Sequence, residues 1–65
     1  MVLKVNDTEK VNITMALYID DEVEEIVIHI KYWNKQTGII SGFEYSAADY
    51  SKALMKCREL ESIYN

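Results

Sequence analysis

The chain of 65 residues has a formal net charge of −4 and contains one cysteine and one histidine. Its length limits it to one domain, and its acidic balance argues against a general nucleic-acid binder and against docking on an anionic membrane, because both need a basic surface. One cysteine excludes an internal disulfide, and one histidine leaves too few ligands for a Cys/His zinc site.

Residues 1–10 allow two interpretations. Val2-Leu3-Lys4-Val5 is typical of a short edge strand, and the polar residues 6–10 are typical of a turn. A loosely held N-terminal arm is the alternative. The first residues lack the basic region and cleavage site of a signal peptide, and no apolar run approaches the ~18 residues of a membrane span. We therefore expect a cytoplasmic protein with no membrane partner.

Two apolar runs, residues 11–19 and 26–33, alternate between apolar and other side chains. A period of two is the signature of a half-buried strand, and both runs are rich in β-branched and aromatic residues, which strands prefer. The residues that share the predicted core face are Val11, Ile13, Met15, Leu17 and Ile19 in the first run and Ile26, Ile28, Ile30 and Tyr32 in the second. The two runs predict the arms of a β-hairpin.

Residues 34–38 end in Gly38 and are typical of a turn, so residues 39–45 predict a third strand. Its two faces would carry Ile39, Ser41, Phe43 and Tyr45 on one side and Ile40, Gly42 and Glu44 on the other. Gly42 within a strand indicates either a bulge or a close approach to the backbone.

Ser46 begins a predicted helix over residues 47–64. The sequence Ser46-Ala47-Ala48-Asp49 is a variant of the capping box, and an aspartate in the first turn suits the helix dipole. An apolar stripe at three- and four-residue spacing then predicts the buried side. The stripe consists of Tyr50, Ala53, Leu54, Cys57, Leu60 and Tyr64. Cys57 in this stripe is typical of a packed thiol.

These elements predict an α+β domain, a three-stranded antiparallel β-meander with one C-terminal α-helix packed on one face, to which residues 1–10 add a short N-terminal strand if they pair with the sheet. Residues 1–10 would be an edge strand or arm, 11–46 the sheet and 47–64 the helix. The face away from the helix keeps apolar residues, which indicates an interface. They are Ala16, Tyr18, Val27, Trp33 and Ile40. Because so short a chain has a small core, we expect a homodimer through this face or the strand edges.

The segment between the two apolar runs carries five carboxylates within six positions: Asp20, Asp21, Glu22, Glu24 and Glu25. One interpretation is a solvated hairpin tip whose like charges protect the sheet edge. Another is a docking surface on which the carboxylates imitate phosphates for a basic protein. A calcium site is the third, but the spacing does not match an EF-hand loop and lacks its central glycine.

Motifs for catalysis or cofactor binding are missing from the sequence. Gly38 and Gly42 are the only glycines, which excludes a glycine-rich phosphate loop. His29 lies in a strand two residues before a lysine, a position typical of a solvent-facing histidine, and no Ser/His/acid constellation can be assembled around it. We expect no enzyme activity, no cofactor and no bound metal.

Five short segments occur in order along the chain: Ile13-Thr14-Met15-Ala16-Leu17, Asp20-Asp21, His29-Ile30-Lys31, Phe43-Glu44, and Ala48-Asp49 with Lys52. Together they resemble the small phage inhibitors of uracil-DNA glycosylase. Those inhibitors are acidic, dimeric DNA mimics of similar size, in which a Phe-Glu pair and a nearby tyrosine contact the enzyme. The resemblance implies that Phe43, Glu44 and Tyr45 contact a target here.

Charge and resemblance together favour a small acidic inhibitor, phage-encoded, that occupies the basic surface of a host protein acting on nucleic acid or in defence. It would work in the host cytoplasm and bind no nucleic acid directly. The alternative is a structural or regulatory interaction module that joins a complex through its exposed sheet face. Tyr18 and Trp33 would then contact the partner, because tyrosine and tryptophan are enriched at protein interfaces.

Overall fold

The computed structural model describes residues 2–63, with side chains from residue 5 onward. Its elements are β1 (Val2–Asp7), β2 (Val11–Asp20), β3 (Glu25–Asn34), β4 (Ile40–Ser46), a 3-10 turn (Ala47–Asp49) and α1 (Tyr50–Ile63). The strands form one antiparallel sheet in the order β1-β2-β3-β4. The fold is therefore α+β, with a four-stranded meander and one C-terminal helix, and the possible N-terminal strand is present.

β1 pairs with β2 as an edge strand, with a shift of register between Lys4 and Asn6. An irregularity of this kind inserts a residue that breaks the period-two alternation. This explains why the pattern of residues 1–10 predicted a strand less clearly than the two runs that follow. The alternative of a loose arm is wrong for Val2–Asp7.

The core lies between α1 and one side of the sheet. Its buried members are Val11, Ile13 and Met15 from β2, Ile28, Ile30 and Tyr32 from β3, and Ala53, Cys57 and Leu60 from α1. This confirms the predicted faces of the two hairpin strands and most of the helical stripe. Tyr50 is an exception: this first residue of α1 is 50% exposed. Tyr64 lies outside the described residues.

The β2–β3 hairpin extends beyond both of its neighbours at one end. Its strands pair continuously from Val11 opposite Asn34 to Asp20 opposite Glu25. Among the described residues, the pairing of β4 with β3 reaches Val27 and the pairing of β1 with β2 reaches Ala16. Residues 19–26, called the hairpin end below, therefore project beyond the two edge strands as a two-stranded segment.

Local side-chain hydrogen bonds set the ends of β4. Asn34 Oδ1 accepts hydrogen bonds from the amides of Gln36 and Thr37, and Gly38 has φ +79°, a conformation that favours glycine. This turn places the start of β4 at Ile40, one residue later than predicted. At the other end Ser46 Oγ accepts from the amide of Ala48 at 3.2 Å, so Ser46 is a cap as predicted. It caps the 3-10 turn Ala47–Asp49, and the α-helix begins at Tyr50, three residues later than predicted.

The described part of the chain holds no helix long and apolar enough to cross a membrane. α1 spans 14 residues and contains charged side chains along its exposed side. It contacts β3 and β4, and the preceding 3-10 turn contacts the same two strands. The helix therefore covers one side of the sheet, and the other side, called the open face below, has no element packed on it among the described residues.

Candidate functional site

Seven of the 11 carboxylates in the sequence lie at one end of the molecule, called the acidic end below. They are the five predicted ones, Asp20, Asp21, Glu22, Glu24 and Glu25, together with Glu44 near the end of β4 and Asp49 in the 3-10 turn. Lys52 Nζ lies 3.9 Å from Asp49. These eight groups sum to −6, and the other four acids and six bases of the sequence sum to +2. The charge is therefore polarised toward the acidic end.

The turn of the hairpin end is held by its own side chains. Asp20 Oδ1 accepts a hydrogen bond from the amide of Glu22 at 3.0 Å, and Glu24 has φ +50°, in the left-handed region. Ser46 Oγ donates to Glu25 Oε1 and so ties β4 to the last rung of the hairpin. Within residues 2–63, no group of three or more His, Cys, Asp or Glu side chains is placed to hold a metal ion.

The hairpin end also carries an exposed apolar group, called the tip patch below. It consists of Ile19, which is 67% exposed, Val23, which is 61% exposed, and Ile26, which is 51% exposed. Ile19 and Ile26 face each other across the two strands, and their position in the alternation places them on the same side as the core. Asp20 and Glu25, the next rung, lie on the opposite side.

The sequence pattern alone did not reveal the tip patch, because it assigned both isoleucines to the face under the helix. They lie beyond the last hairpin residues that pair with the edge strands, Ala16 with β1 and Val27 with β4. The predicted strands, residues 26–33 and 39–45, were nearly equal in length and gave no such signal, whereas the observed β3 has ten residues and β4 has seven.

Exposed apolar residues on the open face form two separate groups. Trp33 and Ile40, 40% and 58% exposed, are direct cross-strand partners, and Lys35 Nζ lies 5.6 Å from the centroid of the Trp33 ring. Tyr18, 41% exposed, pairs with Val27, six residues from Trp33 along β3. Six residues of a strand span about 20 Å. The two predicted interface aromatics therefore share a face without being brought together.

Tyr18 forms part of the acidic end through its hydroxyl, which donates a hydrogen bond to Glu44 Oε1 at 2.9 Å. The bond crosses β3 diagonally, because Tyr18 pairs with Val27 and Glu44 pairs with His29. This hydrogen bond is the main cause that raises the pKa of Tyr18 above its ordinary value, and the negative charges of Glu44 and Asp20 add to it. The phenol is therefore held neutral as a donor to the carboxylate.

Replacing Glu44 by glutamine should lower the pKa of Tyr18 toward the ordinary value of about 10. A pKa that is raised on folding means that the bond contributes stability below the unfolded pKa and that this contribution is lost as pH rises through the folded value. Tyrosines labelled with 13C at Cζ and titrated by NMR would resolve Tyr18. A Tyr18 pKa that is unchanged by Glu44→Gln would contradict the assigned hydrogen bond.

The ring of His29 lies over Gly42 on the open face. A Cβ atom built on Gly42 would be only 2.9 Å from His29 Nε2, and the β3–β4 register is continuous through this position. Of the two expected roles of Gly42, the close approach is therefore confirmed and the bulge is wrong. His29 is half-buried, so it is more enclosed than the predicted solvent-facing histidine.

Gly42→Ala tests this contact when it is combined with His29→Ala. In the His29→Ala background, Gly42→Ala should stabilise the fold by about 0.4–1 kcal/mol, because alanine has less conformational freedom to lose on folding. In the parent protein that gain should shrink or reverse, because the imidazole must move. Urea unfolding of the four proteins gives the coupling energy. The same gain in both backgrounds would contradict the contact.

Phe43 and Tyr45 lie on the core side of β4, where both are half-buried and packed against the core, whereas Glu44 lies on the open face. Lys56 Nζ is 5.0 Å from the centroid of the Phe43 ring. The three contact residues implied by the resemblance therefore do not share one face. No protein-family model, curated protein or solved structure matches the chain.

Cys57 is buried in the core, as its place in the helical stripe predicted. Burial is the main cause that raises the pKa of its thiol, and the negative charge of Glu61 adds to the shift. A thiol with a raised pKa carries little thiolate at neutral pH, so it is a weak nucleophile. The position of Cys57 is therefore that of a packing residue.

Proposed function

We propose that this protein is a small acidic inhibitor, encoded by a phage, that binds the basic surface of a host protein acting on nucleic acid. The observation that carries the proposal is the concentration of seven carboxylates at one end of the molecule. Lys52 forms an ion pair with one of them, Asp49. Proteins that bind nucleic acid present lysine and arginine to the phosphates. The acidic end would compete for that same surface.

The charges of the acidic end are available to a partner. Asp21, Glu22 and Glu24 are exposed and form no ion pair with any of the described residues. The rest of the chain is slightly positive, so the field of the molecule points a basic partner toward one end. Such a field raises the rate of association and weakens as salt increases.

The resemblance to phage inhibitors of uracil-DNA glycosylase gives the first target to test. We expect the protein to inhibit uracil excision from DNA when it is titrated into a glycosylase assay. Asp21→Asn combined with Glu24→Gln should weaken inhibition by about tenfold or more, because charge pairs at an interface contribute about 1.5 kcal/mol or more. The matched control, Glu9→Gln with Glu59→Gln, changes the net charge equally but lies outside the acidic end, and should leave inhibition within about twofold.

Two outcomes would count against the proposal. No inhibition at micromolar concentration would exclude uracil-DNA glycosylase as the target. Equal weakening by the two double variants would show that overall charge, and not the acidic end, determines binding.

A second candidate function is an interaction module that dimerises or joins a complex through the open face. The exposed pair of Trp33 and Ile40 favours it, because adjacent exposed apolar side chains are typical of interfaces. Salt separates the two functions. Binding through the acidic end should weaken steeply as ionic strength rises through the physiological range, whereas binding through an apolar face should not.

We expect sedimentation at micromolar concentration to show a dimer if the open face pairs with a second copy. Ile40→Asp should then shift the population to monomer, because it places a charge in the apolar contact. Met55→Asp is the matched control, since Met55 is exposed on α1, on the other side of the sheet. A stable monomer in the parent protein would contradict dimerisation.

A further inference from the structure

The tip patch continues the row of apolar cross-strand pairs on the core side of the hairpin into a region exposed to solvent. The rung of Leu17 and Ile28 packs into the core, and the following rung of Ile19 and Ile26 has the same orientation but no cover. Single exposed apolar residues are common on protein surfaces, but Ile19 and Ile26 are direct cross-strand partners and so form an adjacent exposed pair, with exposed Val23 in the turn that joins their strands. Its position on a projecting two-stranded end makes it accessible to another molecule.

The charges around the tip patch determine which kind of molecule can bind over it. Asp20 and Glu25 lie on the reverse side of the hairpin end, and Asp21, Glu22 and Glu24 lie in its turn. A second copy seated patch to patch would bring two sets of five carboxylates together, which repel each other. An anionic lipid surface is repelled for the same reason. A cationic partner with an apolar side would cover the tip patch and pair its cations with the carboxylates.

We infer that the hairpin end binds a cationic amphipathic segment of its partner, with apolar side chains on the tip patch and lysine or arginine against the surrounding carboxylates. This inference rests on the proposed function and narrows it, because a basic surface without apolar side chains would leave the patch uncovered. The two contributions differ in their response to salt. The carboxylates supply a salt-sensitive attraction, and the patch supplies a salt-resistant one.

Two synthetic peptides of identical lysine and leucine composition test the inference by calorimetry. In one, the leucines fall on a single helical face, and in the other they are dispersed. We expect the full chain to bind the amphipathic peptide about tenfold or more tightly than the dispersed one, because two half-exposed isoleucines become buried. Ile19→Thr with Ile26→Thr should remove this preference while keeping the weaker, salt-sensitive binding of both peptides.

Threonine preserves the tendency to form a strand, so the hairpin end should remain folded in the double variant. Thermal unfolding checks this, and if the double variant is unfolded, Ile19→Thr alone should reduce the preference by about threefold. The matched control is Ile39→Thr, a 60% exposed isoleucine just before β4, which should keep the full preference.

The outcomes separate this inference from the proposed function. Equal binding of the two peptides by the parent protein, or a preference that survives Ile19→Thr with Ile26→Thr, would overturn the role of the tip patch and leave the acidic end intact. Failure of the parent protein to bind either peptide at low salt would overturn both, because the carboxylates would then attract no cation.

Discussion

Ile30→Ala is expected to remove a large part of the folding stability of this domain. Ile30 is fully buried in β3, the strand between β2 and β4, where it pairs with Met15 and Phe43. Truncating a buried isoleucine costs about 2–5 kcal/mol, because apolar contacts are lost and a cavity remains. At about 0.05–0.15 kcal/mol per residue, a chain of this length has a total stability of only about 3–10 kcal/mol.

The matched control is Ile26→Ala, the same substitution in the same strand at an exposed position. It should cost about 1 kcal/mol or less, because little apolar area returns to water and only strand propensity is lost. Urea unfolding followed by circular dichroism measures both variants, at one protein concentration because the stability of an oligomer depends on it. Similar losses at Ile26 and Ile30 would mean that the core face is assigned wrongly.

The alternation of apolar residues predicted the hairpin and its buried face correctly, for a physical reason. A strand with one face on a core must place apolar side chains at every second position, and the β2 and β3 sequences do so. The helix was predicted by the same logic at a different period, with Ser46 as its cap. These features are local, so the sequence could show them.

How far each strand or helix extends relative to its neighbours is not determined by its local sequence. The hairpin end projects because the pairing of β1 stops at Ala16 and that of β4 at Val27, which only the assembled sheet reveals. The alternation alone therefore placed Ile19 and Ile26 under the helix, whereas both are exposed in the structure. Tyr50, the first residue of α1, was also expected in the core and is 50% exposed.

The contacts of the open face required the register between β3 and β4. The alternation placed His29, Gly42 and Glu44 on one side of the sheet, but it could not align His29 with Glu44. That alignment depends on the turn between the strands, where Asn34 accepts two amide hydrogen bonds and Gly38 adopts a left-handed conformation. The hydrogen bond of Tyr18 to Glu44 follows from this register and was not predicted.

Replacing all five carboxylates of the hairpin end by their amides is expected to abolish the proposed binding to uracil-DNA glycosylase while the fold survives. The substitutions are Asp20→Asn, Asp21→Asn, Glu22→Gln, Glu24→Gln and Glu25→Gln. Amide oxygens can still accept the hydrogen bonds that Asp20 receives from the Glu22 amide and that Glu25 receives from Ser46. Because the repulsion among the five charges disappears, the variant should melt no lower than the parent protein.

Two triple variants separate the effect of the turn carboxylates from the effect of overall charge. Asp21→Asn, Glu22→Gln and Glu24→Gln change only the three turn carboxylates that make no ion pair among the described residues. The matched triple variant, with glutamine at Glu9, Glu59 and Glu61, changes the net charge from −4 to −1 in the same way but away from the hairpin end. Only the first triple variant should weaken binding strongly and flatten its dependence on salt.

Affinity measured by calorimetry at several salt concentrations decides the role of the five carboxylates. If they imitate phosphates, the parent protein loses affinity steeply as salt increases, and the fully amidated variant binds weakly at every salt concentration. Unchanged affinity together with unchanged salt dependence would identify the hairpin end as a solvated tip whose charges protect the sheet edge. The binding surface would then have to be sought on the open face, at Tyr18 and Trp33, and at the Phe43-Glu44 pair of β4.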